Sequence, residues 1–143
     1  MGIRHPNLIG IIDLGFNDDC VYVVTELVES ISLRTLVARK GGLARAVAAA
    51  LIRGAAEALG ALHEKDIVSG GLSPETIRVA SGPGGPEKLL ITPFGLTNLK
   101  QLSSLFPAKD AAGERDRSSD YIAPEQMEGA VPDARSDLYS LGL

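Results

Sequence analysis

Tryptophan is absent from these 143 residues, the three phenylalanines and three tyrosines amount to 4%, and there is a single cysteine, Cys20. One cysteine cannot close an internal disulfide. Together with two histidines, His5 and His63, far apart in sequence, it does not resemble a zinc set, so no metal site is expected and a reducing compartment fits. An excess of positive charge is also missing. Fourteen Lys and Arg against eighteen Asp and Glu leave a net charge of −4, which gives no basic field for a phosphate backbone, and nucleic acid is not an expected partner. No run of about 18 apolar residues stands out to span a bilayer. The N-terminus has no apolar leader pattern, and Pro6 stands where a myristoylation signal places Ser or Thr. The expectation is a cytoplasmic chain with no membrane segment. What is present, 45% hydrophobic and 22% charged residues, is the composition of one soluble domain.

Two β-rich stretches, 7–14 and 21–25, flank Gly15-Phe16-Asn17-Asp18-Asp19 and predict a hairpin. Ser32 precedes Leu33, Leu36 and Val37 at i, i+3, i+4 spacing, and Arg39-Lys40 lead into Gly41-Gly42, so a short helix with an N-cap and a stop is expected. A longer helix is predicted over 44–64, with Val47, Leu51, Ala55, Leu59 and Leu62 on its apolar face. Gly54 and Gly60 each weaken it by about 1 kcal/mol relative to alanine, so it depends on burial. Two short strands, 76–79 and 88–92, flank the Gly- and Pro-rich stretch 81–86 and predict a second hairpin. A long segment over 95–121 lacks clear periodicity and is expected to run over the surface. A capped helix begins at Ser136-Asp137-Leu138-Tyr139.

In order, these pieces resemble the bacterial type of eukaryotic-like Ser/Thr protein kinase. His5-Pro6-Asn7 looks like the turn before the fourth small-lobe strand, and the residues from Val21 to Leu27 like the fifth strand entering the hinge. Ala61-Leu62-His63 with Ile67-Val68 looks like the helix leading into the catalytic loop. Phe94-Gly95 resembles the metal-binding turn, Ala123-Pro124-Glu125 the end of the activation segment, and the stretch from Ser136 to Gly142 the start of the central large-lobe helix. The resemblance implies an α+β fold, partial and protein kinase-like. Its expected divisions are small-lobe strands over 1–25, a hinge over 26–31 and part of the large lobe over 32–143, with an activation-like segment over 95–123.

The family's catalytic loop reads His-Arg-Asp, any residue, Lys-Pro, any residue, Asn. The same frame here reads Ser69-Gly70-Gly71-Leu72-Ser73-Pro74-Glu75-Thr76, with Pro74 setting the register. Gly71 occupies the place of the Asp that accepts the substrate proton, and glycine has no side chain for that task. Ser69 replaces the His, Gly70 the Arg that clasps a phosphorylated activation segment, Ser73 the phosphate-facing Lys, and Thr76 the metal-binding Asn. Pro93 stands where the metal-binding turn carries its Asp and offers no carboxylate to a hard cation. The phosphate loop, strand lysine and helix glutamate of the family would precede His5, where only four residues stand. Arg78 falls at the usually apolar adenine floor, where a guanidinium is costly to bury.

The resemblance therefore leaves no catalytic residue and no metal ligand. It leaves only backbone groups near Glu26 and Val28 as adenine contacts in the hinge, and a structural set of Phe94, Gly95, Glu125 and Asp137. It implies that Asp137 accepts N–H bonds from Ser69 and Gly70. Glu125, whose usual arginine lies later in the fold, is expected to face solvent or a partner. Glu75 reads as a solvated loop residue, His5 and His63 as structural histidines, and Cys20 as inert. Ser103, Ser104, Ser118 and Ser119, near Arg115 and Arg117, lie where activation segments are phosphorylated. The function implied is a pseudokinase-type binding or scaffold module that meets a protein partner or the remainder of a longer kinase-like chain, with no cofactor expected. The alternatives are a Ser/Thr protein kinase using ATP and magnesium, at family level or within a longer chain, and a truncated reading frame without function.

Overall fold

A computed structural model describes residues 3–16, 21–80, 88–92 and 120–143. The turn of the first hairpin, Cys20, the 81–86 loop, Pro93, Phe94, Gly95 and the serines and arginines of the 95–119 stretch lie outside the described residues.

The first hairpin pairs β1 (Ile11–Phe16) with β2 (Val21–Thr25) in antiparallel register, Leu14 opposite Val23 and Gly15 opposite Tyr22, with an irregularity between Ile11 and Asp13. Residues 7–10, expected as part of the first strand, do something else. The backbone of Asn7 and Ile9 brackets Ile91, with Ile91 N donating to Asn7 O (2.9 Å) and Ile9 N to Ile91 O (3.1 Å), while Asn7 Nδ2 donates to Leu89 O (2.8 Å). The apolar run was a fair strand signal, but Leu8 and Ile9 are used to dock the hairpin on a second sheet, and the free strand begins at Ile11.

That second sheet has the order β3-β4-β5, all antiparallel: β3 (Ile31–Ser32), β4 (Ile77–Ala80) and β5 (Lys88–Ile91). The β4–β5 hairpin falls where the sequence predicts it: β4 is shifted one residue later, because Thr76 closes a turn instead of opening it, and β5 starts at Lys88 as expected and ends one residue earlier. The two-residue β3 is too short to leave a period-2 pattern. Its Ser32 also caps α1 (Leu33–Lys40), accepting from Thr35 N (3.1 Å), and Gly41 ends that helix in the left-handed region at φ 67°.

The long helix α2 (Arg45–His63) buries Leu51, Ala55, Ala58, Leu59 and Leu62 against β5 and the last helix, and this is the core, joined by Leu36, Leu72, Ile77, Val79, Leu89 and Ile91. By length and composition α2 would also reach across a bilayer, with a mean hydropathy of 1.2, contrary to the expectation that no such stretch exists. Its many alanines raise its hydropathy without making it a lipid-facing surface, Arg53 and Glu57 sit on its exposed side, and its apolar side is the centre of the core. Two short helices close the described chain, α3 (Pro124–Met127) and α4 (Ala134–Gly142).

The two glycines of α2 have opposite roles. A Cβ at Gly54 would come within 2.9 Å of Asn7 Nδ2, whereas one at Gly60 would meet nothing within 4 Å. Gly54 is therefore the point where the docking turn approaches the helix, not a simple weakness. Gly60→Ala is expected to raise folding stability by about 0.5–1 kcal/mol through helix propensity. Gly54→Ala is expected to lower it by about 1–3 kcal/mol by dislodging Asn7 from Leu89, as overpacking does elsewhere. Urea midpoints followed by circular dichroism check both signs.

Candidate functional site

The site is built on the chain that leaves α2. Its exit turn is closed by Lys65 N and Ile67 N donating to Leu62 O, with Asp66 in the left-handed region at φ 56°, a conformation that aspartate tolerates better than most side chains. The chain then passes under the first turn of α4, where Asp137 is 1% exposed. Asp137 Oδ2 accepts from Ser69 N (2.8 Å) and Oδ1 from Gly70 N (2.7 Å), and His63 Nε2 lies 2.8 Å from Oδ2. One buried carboxylate thus fixes two consecutive loop amides and the end of α2. Its place in the first turn adds the favourable end of the helix dipole. The link to His63 was not visible in the sequence, which gave two residues 74 positions apart and no pattern joining them.

α4 itself is set by Asp133, whose carboxylate accepts from Arg135 N (2.7 Å), while Asp133 N donates to Ser136 Oγ (3.3 Å). The Arg135 guanidinium beside it holds the Asp133 carboxyl below the usual carboxylate range, and Arg135 is raised in turn. A carboxyl lowered in the folded chain stabilises above its ordinary value and loses that contribution as pH falls through the lowered one. Asp133→Ala is therefore expected to lower the melting temperature at neutral pH, by a difference that shrinks on acidification towards and through the lowered value.

Glu125 is neither solvent-facing nor waiting for a partner, as the sequence suggested. It is half-buried and accepts from Ser136 Oγ (2.7 Å), a hydroxyl supplied by the next helix. Its neighbour Gln126 donates through Nε2 to Gly70 O (3.1 Å), so α3 also holds the residue whose amide Asp137 accepts. Gly70 holds φ 68°, a conformation that any side chain at this position would strain.

Beyond Gly70 the loop turns on Thr76. Thr76 Oγ1 accepts from Ser73 N (2.9 Å) and lies 3.1 Å from both Gly71 O and Ser73 O, to which it donates. Its hydroxyl is consumed by the loop's own backbone. Ser73 and Leu72 are buried and Gly71 is exposed. Pro74 O accepts from Arg34 N (3.1 Å), and Glu75, read as solvated, instead lies 2.5 Å from Arg34 Nε in a half-exposed ion pair. Such a pair contributes at most about 1 kcal/mol and leaves no reason to treat Glu75 as a base.

A cleft of about 490 Å³ lies between this loop and the 26–30 connection, lined among others by Val23, Thr25, Val28, Thr76 and Thr92. Glu26 N, one of the backbone groups considered for a ligand, already donates to Gly10 O (2.9 Å), and the Glu26 carboxylate accepts from Gly10 N (2.8 Å). Val28 O accepts from Ser30 Oγ (3.2 Å). Arg78 also lines the cleft and is bound to Ser30, through Nε to Oγ (3.2 Å) and Nη2 to the carbonyl (2.6 Å). Among the described residues, no cluster of three His, Cys, Asp or Glu side chains could hold a metal ion.

The model of the protein kinase domain matches residues 1–143. The chain belongs to the protein kinase family. It is 32% identical to the serine/threonine-protein kinase PkaB of Streptomyces coelicolor over 99% of this chain and 34% of that protein. It is also 32% identical to the kinase pkn2 of Myxococcus xanthus, over 99% of this chain and 17% of pkn2, and 28% identical to PrkC of Bacillus subtilis, over 99% and 20%. The chain spans at most about a third of the length of these relatives.

Proposed function

We propose that this kinase-family chain is a pseudokinase-type binding or scaffold module that does not itself transfer phosphate. The observation that carries the reading is the state of the 69–76 loop. It is held in place by Asp137 at two amides and by Gln126 at a carbonyl, so it is a folded element and not a decayed one. Yet position 71 has no side chain, and the Thr76 hydroxyl is turned into the loop. A magnesium ion wants several oxygen ligands in near-octahedral array, and a threonine oxygen that already serves three backbone partners is a poor one. The residues present do not fit a magnesium–nucleotide complex.

In this reading 1–25 belongs to a small lobe, 26–31 to a hinge and 32–143 to part of a large lobe. The partner is a protein, either another chain or the remainder of a longer kinase-like polypeptide. The runner-up, a Ser/Thr kinase at the level of the longer protein, is favoured only by the names of relatives such as PkaB and PrkC, which describe those proteins.

A thermal shift in the presence of millimolar ATP tests the reading. A ligand at 100 times its dissociation constant would stabilise by about 2.7 kcal/mol. No magnesium-dependent shift is expected here. A rise in melting temperature that appears with magnesium and disappears with a chelator would overturn it.

A further inference from the structure

The charges of this chain are sorted along it. Residues 5–29 hold Asp13, Asp18, Asp19, Glu26 and Glu29 and no Lys or Arg, whereas residues 30–56 hold Arg34, Arg39, Lys40, Arg45 and Arg53 and no Asp or Glu. The first block is the hairpin and the connection that leaves it, and the second is α1 and the first half of α2. Within one chain the blocks are not spent on each other. β1 and β2 pair together, while α1 packs on β3 and β4 and α2 on β5 and α4. Asp13, Glu26 and Glu29 are exposed, as are Arg39, Arg45 and Arg53, and among the described residues none of these six is ion-paired. Arg34 differs in pairing with Glu75.

Each block also exposes hydrocarbon. Leu27, between Glu26 and Glu29, is 99% exposed, and Ile12 beside Asp13 is 69% exposed. On the basic side, Ile52 lies seven residues from Arg45 on one face of α2, and Val37 lies three from Lys40 on α1, both exposed. Exposed apolar side chains flanked by polar ones mark a protein-binding surface.

We infer that a second copy of this chain is the partner of both surfaces, with the acidic hairpin of one copy set against the basic α1–α2 face of the other. Charge decides the occupant. Like blocks facing each other would set carboxylate against carboxylate or guanidinium against guanidinium, which disfavours hairpin–hairpin and helix–helix contacts, while unlike blocks attract. The contact joins different surfaces of the two copies, so two copies close a symmetric dimer, several close a ring, or the array stays open. The inference rests on the binding-module reading above and names its partner. A magnesium-dependent ATP shift would strike that reading and not this contact, and a chain that stays monomeric would strike this contact alone.

Sedimentation velocity of the 143-residue chain, at concentrations up to hundreds of micromolar, is the test. In about 0.05 M salt the weight-average mass is expected to rise with concentration above that of one chain, and the association constant is expected to fall about tenfold or more in about 0.5 M salt, where charges are screened beyond a few ångströms. Two variants separate this contact from others. Arg39→Glu with Arg45→Glu reverses the basic face at a helix end and a helix start, where the dipole effects oppose each other. Asp13→Lys with Glu29→Lys reverses the acidic face, keeps Glu26 on Gly10 and returns only the exposed Leu14 amide to water. Each variant alone is expected to associate about tenfold or more weakly than the wild type. Their equimolar mixture is expected to associate again, because the hairpin of the first meets the helices of the second. The second variant has a formal net charge of zero, against −4 in the wild type, so overall attraction does not account for a recovered contact. Circular dichroism melts establish that both variants are folded.

A wild type that stays monomeric in low salt would overturn the inference. Association that neither salt nor the reversals weaken would overturn it too, since that is the behaviour of hairpins pairing through their exposed strands. A mixture of folded variants no more associated than its components would do the same. If a variant does not fold, the concentration and salt dependence of the wild type decides alone.

Discussion

Asp137→Ala is expected to remove about 3–5 kcal/mol of folding stability, the loss seen when a buried charged acceptor is taken from donors that cannot reach water. That is a large share of the roughly 5–15 kcal/mol available to a natural domain, so the variant should unfold at a much lower urea concentration than the wild type. The reason is local. Ser69 and Gly70 are both buried, and their amides end on the same carboxylate as His63 Nε2. Asp137→Asn keeps the shape but has one acceptor oxygen, so it must abandon one of the two amides and should fall between alanine and wild type. His63→Ala should cost less than either, since His63 is at the edge of the buried set and the two amides keep their partner. With no tryptophan in the chain, far-UV circular dichroism in urea is the practical probe. A loss below about 1 kcal/mol for Asp137→Ala would mean the loop is not held as described.

The second large effect concerns chemistry. Ser69→His, Gly71→Asp, Thr76→Asn and Pro93→Asp together would place a base and two metal ligands at the family's positions. In these 143 residues alone the repaired chain should still transfer no phosphate above background. Groups of this kind act as a unit on a phosphate that another element holds in line, and their effects are far from additive. A fused small lobe supplies such an element to the 143 residues under test. Fusing a complete kinase small lobe ahead of His5 should raise transfer by the repaired chain by about 100-fold or more, the scale lost when a reacting group is misplaced by about 1 Å. The geometry adds a cost. Ser69 is buried, so a histidine there is overpacked, and losing Thr76 releases Ser73 N and Gly71 O. The repaired chain is accordingly expected to melt below the wild type.

The sequence made legible the features that short-range rules govern. α2 was found by its apolar spacing, to within a residue at either end, and α1 by Ser32 and Gly41. Family resemblance, not periodicity, pointed to Asp137, because nothing local marks a carboxylate whose partners lie 67 and 68 positions away. The features that escaped are tertiary. Leu8 and Ile9 read as strand because they are apolar, and only the presence of Leu89 and Ile91 makes them a docking turn. Glu125 was assigned no internal partner because its usual one is an arginine, whereas here a serine hydroxyl from α4 serves. Arg78 was noticed as an odd residue for a cleft floor, but its 48-residue reach to Ser30 could not be read from the chain order.

The central claim is that phosphoryl transfer is lost at the 69–76 loop itself and not merely for want of a phosphate-binding lobe. The most direct measurement is radiolabelled phosphate transfer, to itself and to a generic protein substrate, by the chain with residues 69–76 and Pro93 unchanged and a complete kinase small lobe fused ahead of His5. The account predicts incorporation at the level of a magnesium-free control, even where the fused lobe binds ATP. Magnesium-dependent incorporation above that control, abolished when the fused lobe's phosphate-binding lysine is removed, would contradict it.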